Sequence, residues 1–331
     1  MHILVSFHQQ YGHYIPRLTK TKVVNDDGPP SKKLSPYIRP LVDALKDAGH
    51  RVSVAIPAAS RSWIGKAHII GASLTATYVH PDSFREDGTW IDEIENEKEE
   101  DTPMTNGYLP PTPAASSEHL NVDATISTIS AHEKNVSEED YWVVISNGTP
   151  ASCAQLGLYS LFASRGNIDL VISGPNHGRN ASTIYNLSSG TVGGALEAAT
   201  CGKRGIALSF GSKDEQPPAT ISAAARLSTR VIEYLCRNWD ERVELYNLNV
   251  PMREDVESRP VKYTRALRNE WTKGSLYAEV QNEEKVEIQQ KGKSNRIRHF
   301  RWETELSDIK RSLAESPQGT DARTVLDGFT R

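Results

Sequence analysis

The chain has 331 residues, 37% of them hydrophobic, and a formal net charge of −4 at pH 7. That is enough for one large α/β domain or two modest ones, and it leaves no global basic field for a nucleic-acid polymer or an anionic membrane. Three scattered cysteines, Cys153, Cys201 and Cys236, form no CxxC pair, and no apolar run reaches the length of a membrane span, so disulfide frameworks, zinc clusters and membrane-spanning architectures are not supported and a reducing, cytoplasmic setting is expected.

His2-Ile3-Leu4-Val5 reads as a buried strand and lacks the basic and long apolar regions of a signal peptide. Ser6 to Lys22 does not continue it and shows no clear period. Apolar character resumes at Val23-Val24, followed at once by Asn25-Asp26-Asp27-Gly28. Between Leu34 and Gly49 the spacing predicts a helix whose Ile38, Leu41, Val42 and Leu45 share a face, with Gly49 as its C-cap. Arg51 to Pro57 is a second strand. Strand, turn, helix, glycine, strand is a βαβ unit, which implies a parallel sheet and an α/β fold.

Residues 82–140 read as a polar insertion, with a charge run at Glu95–Asp101 and a proline-rich stretch at Pro103–Pro113, and partial disorder is expected there. Further strands are predicted at Tyr141–Ser146, Ile168–Ser173, Gly205–Phe210 and Leu245–Val250. Helices are predicted between them at Ala151–Ser164, Gly190–Ala199 and Ile221–Cys236, and Gly174–Ser189 reads as a loop. The polar, basic stretch Gln281–Arg301 reads as an exposed hairpin or arm. The end carries a weak helix near Leu306–Leu313 and a loose tail.

Ligands of open parallel sheets bind at the carboxyl ends of strands, and four segments fall there. Asp26 and Asp27 are adjacent carboxylates that repel unless a cation neutralises them. Hard oxygens of this kind suit Mg²⁺, Mn²⁺ or Ca²⁺, although Asn-Asp-Asp-Gly is also simply a good turn sequence. After the buried run Ile168–Ser173, Asn176 offers an amide oxygen, while Arg179 and Asn180 could hold phosphate oxygens. Ser189-Gly190-Thr191 opens a helix with small residues, which suits both close backbone approach to an anion and simple N-capping. Arg61-Ser62-Trp63-Ile64-Gly65-Lys66 follows the second strand with a hydroxyl and two cations. No GxGxxG follows the first strand, and no P-loop, GxSxG elbow or HExxH is present, so dinucleotide, P-loop, serine-hydrolase and zinc-protease readings have no motif support.

Taken in order, MHIL, VVNDDG, RSWIGKAH, NGTPASCAQLGL, DLVISGPNHGRN, SSGTVGGALEAA and LNVP resemble the SurE (survival protein) family of nucleotidases, specifically its longer fungal-type acid phosphatase branch. The resemblance spans nearly the whole chain outside the insertions. It implies a single phosphatase domain with a Rossmann-like, three-layer α/β/α fold and a mainly parallel sheet. It also implies a hairpin arm near residues 268–300 that subunits of a homodimer exchange. A divalent cation, Mg²⁺ or Mn²⁺ with Ca²⁺ able to substitute, would be held by Asp26, Asp27, Ser62 and Asn176. Catalysis would fall to Asp26, Asp27 and Asn180, and phosphate contacts to Asn25, Arg179, Asn180, Ser189, Gly190 and Thr191. The expected substrates are nucleoside 5′- and 3′-monophosphates or a broader range of small phosphomonoesters.

Two departures from the family pattern stand out. Members run straight from the first strand into Asn-Asp-Asp-Gly, whereas here residues 6–22 intervene; removing Val5–Lys22 would join MHIL to VVNDDG. We read this stretch as a translated, unspliced intron, since Val-Ser at its start can be encoded by a splice-donor-like sequence. A dominant spliced transcript that retains these codons would remove that idea. If the stretch is real, Val23-Val24 replaces Leu4-Val5 as the strand end, or the metal site is spoiled and the chain is a phosphate- or nucleotide-binding module rather than an enzyme. The end at Gly328-Phe329-Thr330-Arg331 also comes before the family's usual terminal segment, so a truncated last strand is expected.

Overall fold

Val23 and Val24 end a five-residue strand, β1 (Lys20–Val24), whose last four residues are buried. It takes the central place in a seven-stranded sheet of the computed structural model, which describes residues 20–90, 140–272, 276–280, 289–290, 293–294 and 298–331. The other strands are β2 (Arg51–Pro57), β3 (Thr75–Val79), β4 (Trp142–Ser146), β5 (Leu170–His177), β6 (Arg204–Phe210) and β7 (Leu245–Val250), in the spatial order β3-β4-β2-β1-β5-β6-β7. All neighbours are parallel except β3, which runs antiparallel to β4. Helices α1 (Ile38–Asp47) and α5 (Pro218–Arg237) pack together on one face, and α2 (Pro150–Leu156) and α4 (Gly190–Thr200) on the other. This is the expected three-layer α/β/α architecture.

The chain leaves β1 toward β2 and β4, then crosses back to lay β5 on the opposite side of β1 and continues outward to β6 and β7. The direction of winding therefore reverses between β1 and β5. A crevice opens above the carboxyl ends of two such strands, because their following loops diverge. Asn25-Asp26-Asp27-Gly28 leaves β1 at that point, and Asn176 ends β5 beside it.

Several expectations need adjustment. The strand expected at His2–Val5 lies outside the described residues, and the central strand is Lys20–Val24, so Lys20, Thr21 and Lys22 belong to the sheet rather than to an unstructured stretch. Helix α1 starts at Ile38, not Leu34, because Ser31 Oγ accepts the backbone N–H groups of Leu34 and Ser35 and closes a separate turn. Helix α2 stops at Leu156 instead of reaching Ser164, and the chain continues through a wider turn, Gly157–Leu161. There the Lys22 ammonium donates to the carbonyls of Cys153 and Ala154, inside the end of the helix. Strand β3 and a short helix α3 (Thr183–Ser188) were not expected.

Of the polar insertion, residues 82–90 are anchored by half-buried Phe84, 6.2 Å from the Trp90 ring and 5.8 Å from that of Trp142, while Asp82, Arg85, Glu86, Asp87 and Thr89 stay exposed. The rest, 91–139, lies outside the described residues. A hairpin pairs β8 (Tyr277–Val280) with β11 (His299–Trp302), and β9 (Gln289–Gln290) pairs with β10 (Lys293–Ser294) between them in the chain; its first strand precedes the expected stretch Gln281–Arg301, most of which lies outside the described residues. Nor is the C-terminus loose. Helices α6 (Ser307–Ala314) and α7 (Asp321–Leu326) are followed by Thr330, fully buried and bridged to Val261, and Arg331 exchanges backbone hydrogen bonds with Asn249 of β7. Among the described residues no helix is long and apolar enough to cross a membrane.

Candidate active site

Asn25 shapes the turn that presents the two aspartates. Its side-chain amide donates to the carbonyl of Gly28 and to Ser35 Oγ at 2.7 and 3.1 Å, and its Oδ1 accepts the Gly28 N–H at 3.3 Å. Asn25 is fully buried, so its amide is engaged in the turn rather than turned to solvent. Gly28 takes φ +88°, the left-handed conformation that closes such a turn.

Asp26 and Asp27 are 2% and 7% exposed, which is unusual for two neighbouring carboxylates. Thr191 donates its hydroxyl to Asp26 Oδ1 at 2.5 Å, and the backbone N–H of His177 donates to Asp27 Oδ2 at 2.7 Å. Burial raises the pKa of Asp26. Burial and the adjacent Asp26 charge together raise that of Asp27 well above the ordinary carboxylate range, while Lys213 pulls both in the opposite direction. A bound cation would relieve this repulsion.

The N-terminus of α4 abuts Asp26. Ser189 caps the helix by accepting the Val192 N–H at 3.1 Å. A Cβ on Gly190 would lie 2.8 Å from Asp26 Cβ and 3.0 Å from the Arg61 carbonyl oxygen, so only glycine fits where strand end, helix start and the β2 loop meet. That loop is also held to the turn directly, since the Arg61 N–H donates to the Asp26 carbonyl at 2.6 Å. It brings Ser62 alongside, exposed and with its Oγ 3.3 Å from Ser60 Oγ. A cavity of about 420 Å³ flanks Asp27 and is lined by Ser60, Gly88, Thr89 and Trp90 among others.

On the β5 side, Gly174-Pro175 is a cis peptide, and the pairing with β6 shifts register between Ser173 and Asn176. Asn176 Nδ2 donates to the Gly178 carbonyl at 2.8 Å. Arg179 is exposed. Asn180 is 5% exposed and sits in a dense amide network: its N–H donates to Asn249 Oδ1, its Nδ2 to Ser209 Oγ, and its carbonyl accepts from Asn247, Asn249 and Arg331. The structure thus brings Asp26, Asp27, Ser62, Asn176, Asn180, Ser189, Gly190 and Thr191 to one rim of the sheet. Thr191 contacts Asp26 rather than opening to the crevice, and Ser189 has its hydroxyl occupied by capping.

Among the described residues no three His, Cys, Asp or Glu side chains come together as a metal cluster. A cation would therefore depend on the two carboxylates with hydroxyl and amide oxygens, the roles open to Ser62 and Asn176. That all-oxygen donor set fits Mg²⁺ or Mn²⁺ and does not fit a zinc site. Three residues at the site were not singled out from the sequence, although Asn249 lies within LNVP. Lys213, on the loop after β6, acts electrostatically on both aspartates and on His177. Asn249 holds Asn180 from β7, and Tyr37 packs its ring edge-on against His177 at 5.2 Å. The Asn-x-Asn spacing of Asn247 and Asn249 on one face of β7 is the only pattern that could have pointed there.

The family model described as "Survival protein SurE" matches residues 22–273. A Saccharomyces cerevisiae protein named "Probable tubulin--tyrosine ligase PBY1" is 34% identical over 314 residues, covering 92% of this chain and 38% of that protein. The "5'-nucleotidase SurE" of Nitratidesulfovibrio vulgaris is 29% identical over 255 residues, covering 75% of this chain and 74% of the relative. That of Rhodopirellula baltica is 38% identical over 122 residues, covering 37% of this chain and 46% of the relative. The chain thus spans under half the length of the yeast and Rhodopirellula proteins. The fold is shared with the crystal structure of a SurE protein from Aquifex aeolicus, at a TM-score of 0.54 and 22% identity, covering 94% of this chain and 90% of that one.

Proposed function

Because the chain belongs to the SurE family, we propose that it hydrolyses small phosphomonoesters, nucleoside monophosphates among them, with the help of a divalent cation and with release of inorganic phosphate. The observation that carries this reading is the buried, mutually repelling pair Asp26–Asp27, set against the start of α4 at the point where the sheet reverses its winding. Asp26, Asp27, Ser62 and Asn176 would hold Mg²⁺ or Mn²⁺. When bound, the cation would supply charge neutralisation at a phosphoryl oxygen and a more acidic water.

The chain's own residues do the positioning. Thr191 and the His177 N–H fix the orientation of the two carboxylates. Asn180, immobilised by Asn249 and Ser209, and exposed Arg179 would take equatorial oxygens of the phosphoryl group. The N-terminal end of α4 at Gly190 adds a favourable dipole for the charge that builds there. The alternative, a binding module whose metal site is spoiled by residues 6–22, is disfavoured by the pairing of β1. Val23 lies opposite Val54 on one side and Ile172 on the other, so the aspartates leave an intact strand end.

Asp26→Ala is the direct test. It should abolish Mg²⁺- or Mn²⁺-dependent phosphate release from p-nitrophenyl phosphate and AMP while the circular-dichroism spectrum stays native. Undiminished metal-dependent turnover in this variant would rule the assignment out.

A further inference from the structure

Five aromatic rings converge beside the candidate phosphate site, on segments far apart in the chain. Trp63 lies 6.0 Å from Tyr185, 6.2 Å from Trp271 and 5.8 Å from Trp302 between ring centroids, and Tyr277 lies 5.3 Å from Trp302. The cluster is open: Trp63 and Trp271 are each 36% exposed, Trp302 49% and Tyr277 51%. Trp63 is also held at φ +66°, a conformation costly for a bulky residue. The surrounding loop therefore imposes the position of its indole.

The segments that carry these rings are the ones that carry the candidate phosphate residues. Trp63 follows Ser62, in a turn whose Arg61 carbonyl and Ile64 side chain crowd Gly190. The same turn is tied to the end of α3, where the Gly65 N–H donates to the Ser188 carbonyl at 3.0 Å. Tyr185 stands on α3, between Asn180 and Ser189, and feels the charge of Arg179. The rings thus stand on segments that border the start of α4, and the leaving group of a phosphoryl group held there would meet them. Indole and phenol faces stack on planar aromatic groups of any substitution, and give much less to a flexible aliphatic alcohol.

We propose that Trp63, Tyr185 and Trp302 form a leaving-group subsite that selects phosphomonoesters of planar aryl or heteroaryl alcohols and nucleosides over aliphatic ones. The proposal rests on the phosphatase reading above. Its test compares kcat/KM for phenyl phosphate and 2-naphthyl phosphate with that for glycerol 2-phosphate, in the wild-type chain and in Trp302→Ala. The aryl-to-alkyl ratio should exceed one in the wild type and fall by about tenfold in the variant, the scale of one lost stacking contact. Trp302→Leu, which keeps apolar volume, should lower the ratio similarly, so a folding defect in the alanine variant does not decide the result. Equal losses on all three esters, or an unchanged ratio accompanied by a shift from dimer to monomer in sedimentation, would overturn the subsite; the latter would make the rings a contact between copies. If the wild-type chain hydrolyses none of the esters, the phosphatase reading fails separately. Calorimetry with phenylphosphonate and butylphosphonate then judges the subsite alone: tighter phenylphosphonate binding that Trp302→Ala removes supports it, and equal affinities refute it.

Discussion

Lys22 carries an ammonium group into the interior of a parallel sheet, fully buried, with the carbonyls of Cys153 and Ala154 as its acceptors and the Phe162 ring 5.8 Å away. Desolvation lowers its pKa from 10.5 to about 7. The folded chain therefore binds fewer protons than the unfolded chain between these two values, and stability must rise as pH rises from about 7 toward 10.5. Below pH 7 the buried charge is fully present and destabilises the fold. Lys22→Met keeps the volume and removes the charge. We expect it to stabilise the protein by roughly 2–4 kcal/mol at pH 6.5 and to flatten the dependence between pH 7 and 10, as measured by urea unfolding at pH 6.5, 8 and 9.5. Excising Val5–Lys22 would bring Leu4 to this position by sequence count and should act in the same direction. An unfolding midpoint that does not respond to either change would show that the lysine is accommodated without cost.

Helix α4 does more than offer its N-terminus. Glu197, about two turns from that end and 3% exposed, accepts from Gln155 Nε2 at 2.8 Å and pairs with Lys66 and with His68 Nε2 at 3.2 Å. Burial raises its pKa, but the bonds from Lys66, Gln155 and His68 outweigh this and leave the carboxyl below its usual range. The pairing clamps the turn that carries Ser62 and Trp63 onto the helix that carries Gly190. Glu197→Ala leaves Lys66 and Gln155 without their acceptor, and because Lys66 is partly solvated the loss should be about 2 kcal/mol rather than the larger cost of a fully buried pair. Thermal denaturation should register it. The same variant should need more Mg²⁺ for half-maximal phosphate release, because Ser62 is no longer held; an unchanged Mg²⁺ requirement would separate the clamp from the site.

At the scale of the molecule, the β8–β11 hairpin stands off the sheet with Tyr277, Phe300 and Trp302 about half exposed. On the family resemblance, we propose that it is an arm exchanged within a homodimer. The ladder itself closes between Val280 and His299, so replacing residues 281–298 by Asn-Gly, a favoured two-residue hairpin turn, shortens the arm and keeps β8 and β11 paired. Light scattering after size exclusion should give twice the 36.7 kDa chain mass for the full protein and a single chain mass for the shortened one. A shortened chain that remains dimeric would place the interface elsewhere.

How much was readable in advance differs by the range of the signal. The alternation of strands and helices, the Asp26-Asp27 pair at a strand end and the small residues opening α4 all depend on neighbours within a few positions, so the sequence determined them: α1 buries Ile38, Leu41, Val42 and Leu45 as their spacing predicts, and β7 spans Leu245–Val250 as expected. The chain alone could not show that Lys20–Val24 takes the centre of the sheet, because it is a poor strand by composition and holds its place through β2 and β5 on either side. Strand β3 was hidden for a similar reason: it lies at the sheet edge, where only Val79 is buried, and so shows little apolar pattern. The bond from Thr191 to Asp26, the clamp of Glu197 on Lys66, and the meeting of Trp63, Tyr185 and Trp302 join residues up to 239 positions apart. Such contacts leave no periodic trace, since they exist only after the layers have packed and the winding has reversed at β1 and β5.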